Sequence, residues 1–336
     1  MKEDFIRILY ENRLLTSITI ELTNVCNLRC SQCYQEDRLE GTGINSTYLD
    51  FDVIRKIIDD VSGTSVMCIN LTGGEALTHR YVFETIDLIT SRNIRLNLLT
   101  NATMINDENI AILKKVNVIS TTRYGNSKHI YEKVTGVEGS FDRYCRAIEL
   151  IRNNHIRLIE KSLIMHDNYC EMTDLVGHTK YSDDRILVNK SNGYSSKCSL
   201  SCEQHNEYLS VKEAMGKEDD NQNASGPRRC KLWYSSLFID CKGNVTPCLN
   251  LSDPAYVFGN IYADNLWDIW NSYEAKRTIE KLEERLNDSR CYSCEYGKQA
   301  TVCPANNLYE TGEVHIPSEY ECNFCKLKAE HLKSRR

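Results

Sequence analysis

Cys26, Cys30 and Cys33 lie in the run Cys26-Asn27-Leu28-Arg29-Cys30-Ser31-Gln32-Cys33, at C-x3-C-x2-C spacing. A 4Fe-4S cluster takes one thiolate per iron, so three cysteines in one loop can hold it and leave the fourth iron open to a further ligand. An open iron implies chemistry. The alternative is three ligands of a zinc knuckle, which needs a fourth Cys or His close by, and the first histidine is His79. A second motif, Thr72-Gly73-Gly74-Glu75, sits between a strand-like and a helix-like run. Paired glycines let a backbone come close to a ligand, and Glu75 can accept from an ammonium group; a plain structural turn explains the same residues.

The other cysteines fall mostly in the last third of the chain. Cys230 and Cys248 bracket Gly243, and Cys291-x2-Cys294, Cys303 and Cys322-x2-Cys325 follow. Two C-x2-C pairs supply the four soft ligands of a zinc ribbon, yet one zinc ion would leave Cys230, Cys248 and Cys303 unused, and thiolates bind either zinc or iron-sulfur clusters. Cys198 and Cys202, at C-x3-C in a polar stretch, and Cys241 are open between ligand, exposed thiol and hydrogen-atom donor. Cys68, Cys145 and Cys170 stand alone and read as packing residues. The histidines are scattered without an H-x3-H or H-E-x-x-H pattern, which argues against histidine-based metal or nucleophile chemistry. Trp267 and Trp270 read as core.

These motifs need a scaffold that brings loops together. Strand-like runs at 17–22, 66–72, 94–101, 116–122, 156–164 and 186–188 alternate with helical apolar spacing at 51–61, 81–91, 107–115, 141–153 and 170–179. Such repetition predicts parallel strands with right-handed crossovers, in a closed or partial barrel or a doubly wound sheet. In barrels the functional loops lie at the C-terminal strand ends, where the cysteine loop, Thr72 to Glu75, Asn101 and Thr122-Arg123-Tyr124-Gly125 all fall. Residues 191–226 are polar, with 216–223 reading as a flexible loop or linker. Beyond them one clear helix is expected, over 266–287. The division is therefore 1–190, a linker at 191–229, and a cysteine-rich unit at 230–336.

The 336 residues carry a net charge of −6 with lysine and arginine dispersed, so there is no basic stripe for nucleic acid. No run approaches the roughly 18 apolar residues of a membrane span, and the start lacks a signal-peptide layout. The expectation is a cytoplasmic protein, in which 16 cysteines point to metal rather than disulfides.

The cysteine loop resembles the signature of the radical SAM superfamily, and the Gly-Gly-Glu segment one strand-helix unit later resembles the stretch that holds the SAM amino group in that family. The resemblance implies a partial (β/α)6 barrel, S-adenosylmethionine closing the open iron through its amino and carboxylate groups, and reductive cleavage to a 5'-deoxyadenosyl radical. Thr72, Gly73, Gly74 and Glu75 would bind SAM, with Asn101 and Thr122 contacting its carboxylate or ribose. One departure is Gln32, where the family usually has an aromatic residue; Tyr34 or backbone contacts would then pack the adenine.

The C-terminal cysteines resemble a SPASM domain, a small α+β unit with auxiliary 4Fe-4S clusters, and the stretch from Tyr131 to Asp142 resembles the linker common in such enzymes. By resemblance Cys230, Cys248 and Cys303 bind the first auxiliary cluster, its fourth ligand being Cys241, Cys198, Cys202 or an exogenous group. Cys291, Cys294, Cys322 and Cys325 bind the second, Cys325 replacing a cysteine missing near Gln299-Ala300. The implied activity is hydrogen abstraction from a ribosomally made precursor peptide, followed by thioether or carbon-carbon cross-linking or by epimerisation, with flavodoxin or ferredoxin as reductant. Leu249 stands where sulfatase-type maturases place an Asp, against formylglycine formation. With only about 17 residues before the first strand, less than a domain, leader recognition would fall to the core or a separate protein, or be absent. The alternatives are a radical SAM dehydrogenase of a small alcohol or sugar, and a non-catalytic zinc or iron-sulfur interaction protein.

Overall fold

The computed structural model describes residues 8–9, 11–33, 46–183, 198–217 and 226–334. Tyr34 and the strand expected at 186–188 lie outside them. Six parallel strands pair in chain order: β1 (Ser17–Glu21), β2 (Cys68–Thr72), β3 (Arg95–Leu99), β4 (Val118–Arg123), β5 (Leu158–Leu163) and β6 (Tyr181–Asp183). Between them run α1 (Phe51–Val61), α2 (Val82–Ser91), α3 (Ile110–Leu113), α4 (Lys128–Thr135), α5 (Ser140–Asn153) and α6 (Met172–His178). This is the strand-helix alternation that the apolar periodicity predicts, with two additions. Helix α4 begins at a Ser127 cap and ends at Gly136 with φ +67°, and β6 occupies the chain immediately after α6.

Alternation along the strands separates two faces. Ile18, Ile20, Ile69, Leu71, Leu96 and Leu98 are fully buried in the main core. The opposite face of β1–β3 carries Thr19, Asn70 and Asn97, joined side by side: Asn97 Nδ2 donates to Asn70 Oδ1 at 2.9 Å, and Asn70 Nδ2 donates to Thr19 Oγ1 at 3.2 Å. Cys68 Sγ joins the row 3.2 Å from Asn97 Nδ2. These side chains are only part-buried, as expected on the concave face of an incompletely closed barrel.

The sheet continues beyond the sixth strand's worth of chain. β8 (Ser236–Ile239) pairs parallel with the free edge of β1, followed by β9 (Asn244–Thr246) and β10 (Gly259–Asn260) in antiparallel order, giving nine strands; β7 (Arg228–Arg229) and β11 (Thr301–Val302) form a separate pair.

Several sequence expectations change here. The polar stretch after residue 191 contains α7 (Cys202–Ala214), opened by a reciprocal Ser201/Gln204 capping box. Its buried side is narrow, His205, Tyr208 and the polar Lys212, with His205 edge-on to Phe324 at 4.3 Å, too thin an apolar stripe for periodicity to show. The expected 266–287 helix is two, α8 (Leu266–Asn271) and α9 (Tyr273–Asn287), because Ser272 caps the second. Two further helices, α10 (Pro304–Thr311) and α11 (Glu319–Lys333), follow. Trp270 is buried, its indole donating to the Arg13 carbonyl at 2.8 Å, while Trp267 is part-buried and donates to that of Asp60 at 2.8 Å. Cys170 is exposed, not packed inside.

Candidate iron-sulfur and cofactor site

The cysteine loop leaves β1 at the C-terminal rim and is pinned from two sides. From β2, Gly74 N–H donates to the Thr23 carbonyl at 2.6 Å and Glu75 N–H to that of Val25 at 2.7 Å. A β-carbon on Gly74 would stand 2.1 Å from the Val25 oxygen, so glycine is required there by the cysteine loop's own backbone. From α4, the Thr135 and Val134 carbonyls accept from Arg29 N–H at 2.8 Å and Ser31 N–H at 3.0 Å. A β-carbon on Gly136 would meet the Arg29 oxygen at 2.8 Å. This is the physical work of the linker after Tyr131: it ends a helix where the cysteine loop must land.

Within the loop, Cys33 N–H donates to the Cys30 carbonyl at 3.1 Å, Leu28 N–H lies 3.4 Å from Cys26 Sγ, and Asn101 Nδ2 lies 3.7 Å from that sulfur. N–H groups aimed at sulfur suit thiolates rather than neutral thiols. Tyr124, on the loop after β4, hydrogen-bonds Gln32 and Thr122; burial, reinforced by Cys30 and Cys33, pushes its phenol well above the usual range. Gln32, in the family's aromatic position, thus has an aromatic neighbour from another strand end. The sequence placed Tyr124 at this rim within Thr122 to Gly125, but only the pairing of β4 into the sheet brings it against Gln32.

Glu75 is buried at 1% exposure. Its carboxylate accepts from Leu77 N–H at 3.1 Å, Thr100 Oγ1 at 2.7 Å and Asn101 N–H at 2.7 Å. Asn101 in turn accepts from Thr103 N–H at 2.9 Å and Thr103 Oγ1 at 2.7 Å, and donates to Asn27 Oδ1 at 2.9 Å. Glu75 therefore links the ends of β2 and β3 to the cysteine loop. Arg123 and Glu160, both nearly buried, pair at 2.7 Å between β4 and β5, with Tyr144 donating to Glu160 at 2.8 Å.

The later cysteines divide into two groups. Burial raises the Cys303 thiol to about 12, with Cys248 and Cys230 as its thiol neighbours. Burial likewise raises Cys325, with Cys291 and Cys322 nearby, and Cys291, with Cys322 and Cys294 nearby. Cys241 joins neither: burial and then Glu21 raise its thiol, and its backbone N–H donates to Glu21 at 3.3 Å. Cys198 Sγ lies 4.0 Å from the Ser31 carbonyl, packed with Tyr124, Val134, Leu163 and Met165. Cys202 is exposed at the start of α7.

Among the described residues no three His, Cys, Asp or Glu side chains form a group that could hold a metal ion. A cubane's thiolates bind different irons and need not converge on one point. The donor sets are all-thiol and, apart from the exposed Cys294, buried or part-buried, which suits iron-sulfur clusters.

Residues 20–176 match the radical SAM superfamily and residues 230–295 the SPASM iron-sulfur cluster-binding domain. The chain belongs to the radical SAM enzymes that carry a SPASM domain, and its cofactors are 4Fe-4S clusters and S-adenosylmethionine. The antilisterial bacteriocin subtilosin biosynthesis protein AlbA of Bacillus subtilis is 24% identical over 76% of this chain, and the match spans 59% of that relative's length. An AdoMet-dependent heme synthase of Methanosarcina barkeri is 24% identical over 91% of this chain and 96% of its own. Among solved structures, anSMEcpe with bound AdoMet and the Kp18Cys peptide superposes with a TM-score of 0.69 at 17% identity, covering 95% of this chain and 97% of that one; this similarity concerns the fold. No helix among the described residues is long and apolar enough to cross a membrane.

Proposed function

We propose that this enzyme modifies a ribosomally made precursor peptide, with the target residue held in the barrel between the cysteine loop and the first auxiliary group. The observation that carries the reading is the Thr19, Asn70 and Asn97 row on the concave face. Amide side chains both donate and accept, as main-chain peptide groups require, whereas an apolar macrocycle would offer this row no partner beyond the bonds it makes within itself. The bacteriocin biosynthesis protein among its relatives and the fold neighbour with a bound peptide agree with it.

Cys26, Cys30 and Cys33 would hold the catalytic cluster, and Gly73 to Glu75, Asn101 and Thr122 the cofactor; Thr72 leads the chain into that segment from β2. When bound, SAM and the reduced cluster supply a deoxyadenosyl radical that removes a hydrogen atom from substrate. The chain's own residues orient and enclose: Glu75 fixes Asn101, and Tyr124 with Gln32 closes one side. Cys230, Cys248 and Cys303 would carry one auxiliary cluster, and Cys291, Cys294, Cys322 and Cys325 the other. A cytoplasmic flavodoxin or ferredoxin would deliver the electron. Cys198, 4.0 Å from the Ser31 carbonyl, would return a hydrogen atom to the substrate, its thiyl then taking an electron from that donor and a proton from solvent, which an epimerisation needs and a cross-link does not.

The test is anaerobic incubation with SAM and the short peptides encoded beside the gene, in deuterated water, read by mass spectrometry. A cross-link loses a hydrogen pair; an epimer gains one deuterium and reverts to unmodified peptide in Cys198→Ala. SAM cleavage with every such peptide unchanged would favour a small-molecule substrate instead.

A further inference from the structure

We propose that the side-chain oxygen of Asn250 is the fourth ligand of the first auxiliary cluster; this rests on Cys230, Cys248 and Cys303 binding that cluster. A 4Fe-4S cluster held wholly by protein needs four ligands, and this group supplies three thiols. The remaining cysteines open to the role lie elsewhere. Cys241 follows the C-terminal end of β8, while Cys248 follows β9, which runs back antiparallel with Thr246 opposite Phe238. The two thiols are thus at opposite ends of the hairpin, roughly 13 Å apart for four residues at about 3.3 Å each. Cys198 is at the other rim beside Ser31, and Cys202 is exposed.

Asn250 fits the vacancy in the donor count by position and by chemistry. Its backbone N–H donates to the Cys248 thiol, which puts its α-carbon next to that sulfur. The residue is 8% exposed, and its Oδ1 is buried with no hydrogen-bond partner. The core beside it is apolar: Leu251, the next residue, with Leu282, Ala305 and Val314 forms the small cluster on which Cys248 and Cys303 pack. An amide oxygen left unpaired in such a place costs free energy, and native structures rarely tolerate it without an ion, water or other partner. Asn306, whose backbone N–H donates to the Cys303 thiol, also has an unpaired buried Oδ1; as a residue it is part-exposed where Asn250 is buried, and it serves as the comparison.

The experiment uses the full chain carrying Cys26→Ala/Cys30→Ala/Cys33→Ala, so that only auxiliary clusters contribute. After anaerobic reconstitution, iron, sulfide, the EPR spectrum of the reduced protein and its reduction potentials are compared for Asn250→Ala, Asn250→Asp, Asn306→Ala and Cys248→Ala. Cys248→Ala should lower iron from about 8 to about 4 per chain; no loss would sink the thiol assignment itself, separately from Asn250. Asn250→Asp should keep the iron and lower one potential, because an anionic oxygen stabilises the oxidised cluster. Asn250→Ala should shift one set of g-values and admit cyanide, which the parent excludes, while Asn306→Ala resembles the parent. Unchanged g-values and potentials in both Asn250 variants, or cyanide binding equally to the parent, would overturn the proposal. If Asn250→Ala loses the cluster, the potential of Asn250→Asp decides.

Discussion

Single atoms at the rim set what the site tolerates. The β-carbon of Gly74→Ala would lie 2.1 Å from a carbonyl oxygen of the cysteine loop, so that loop must move. The variant should reconstitute with about 4 fewer iron per chain while its far-UV circular dichroism is retained; full iron content would show that the loop yields cheaply. Gly297, where a β-carbon would stand 1.9 Å from the Cys291 oxygen, plays the same part for the second auxiliary group. His79 gives a pH dependence. Its Nε2 faces the Leu49 carbonyl at 3.0 Å and its Nδ1 accepts from Tyr81 N–H at 3.3 Å, which fits the neutral ring; burial lowers its pKa from the ordinary value. The unfolded chain then binds the proton more readily, so stability is complete above about pH 6.5 and falls as pH drops below it. Urea midpoints at pH 7 and pH 5.5 should differ less in His79→Gln than in the parent.

Strands and helices act here through what they carry to their ends. The Arg123–Glu160 pair ties β4 to β5, with side chains 9% and 7% exposed. Arg152 at 3.0 Å and Tyr144 at 2.8 Å also serve Glu160. Removing the carboxylate alone strands a buried guanidinium, so Glu160→Gln should cost about 3–5 kcal/mol in denaturant unfolding, and Arg123→Met/Glu160→Met markedly less. Equal losses would mean that the pair stabilises the sheet by more than mutual neutralisation. Apolar periodicity made β1 to β5 and α1, α2 and α5 readable in advance, because each buries a broad face. It missed α7, whose buried side is narrow, and α4, whose importance lies in the carbonyls at its C-terminal end.

At the scale of the whole chain, the sheet does not end where the cysteine-rich third begins. β8 covers the edge of β1, so a chain ending at residue 229 would expose an unpaired strand flanked by Ile18 and Ile20, an invitation to aggregation. Such a truncation should be recovered in the insoluble fraction, and a soluble monomer from it would show that another segment protects the edge. The same pairing sets the direction of the molecule. The Cys26 loop sits at the C-terminal end of β1, and the Cys230 and Cys248 thiols flank the opposite end of β8, with the Thr19, Asn70 and Asn97 row between.

Cysteine spacing marked the thiol-bearing loops and apolar periodicity the parallel strand-helix repeat, because both depend on residues a few positions apart; the radical SAM class, the partial barrel and the assignment of thiols to clusters came from resemblance to that family. Distance along the chain hid the rest. That Glu75 is engaged by Thr100 and Asn101, that Tyr124 stands against Gln32 and that Cys241 belongs with Glu21 follow from parallel pairing, which joins residues tens to hundreds of positions apart at one rim, while Cys198 reaches Ser31 from outside the strands. Composition could count the thiols, but only strand order and direction could say at which end of the barrel each one lies.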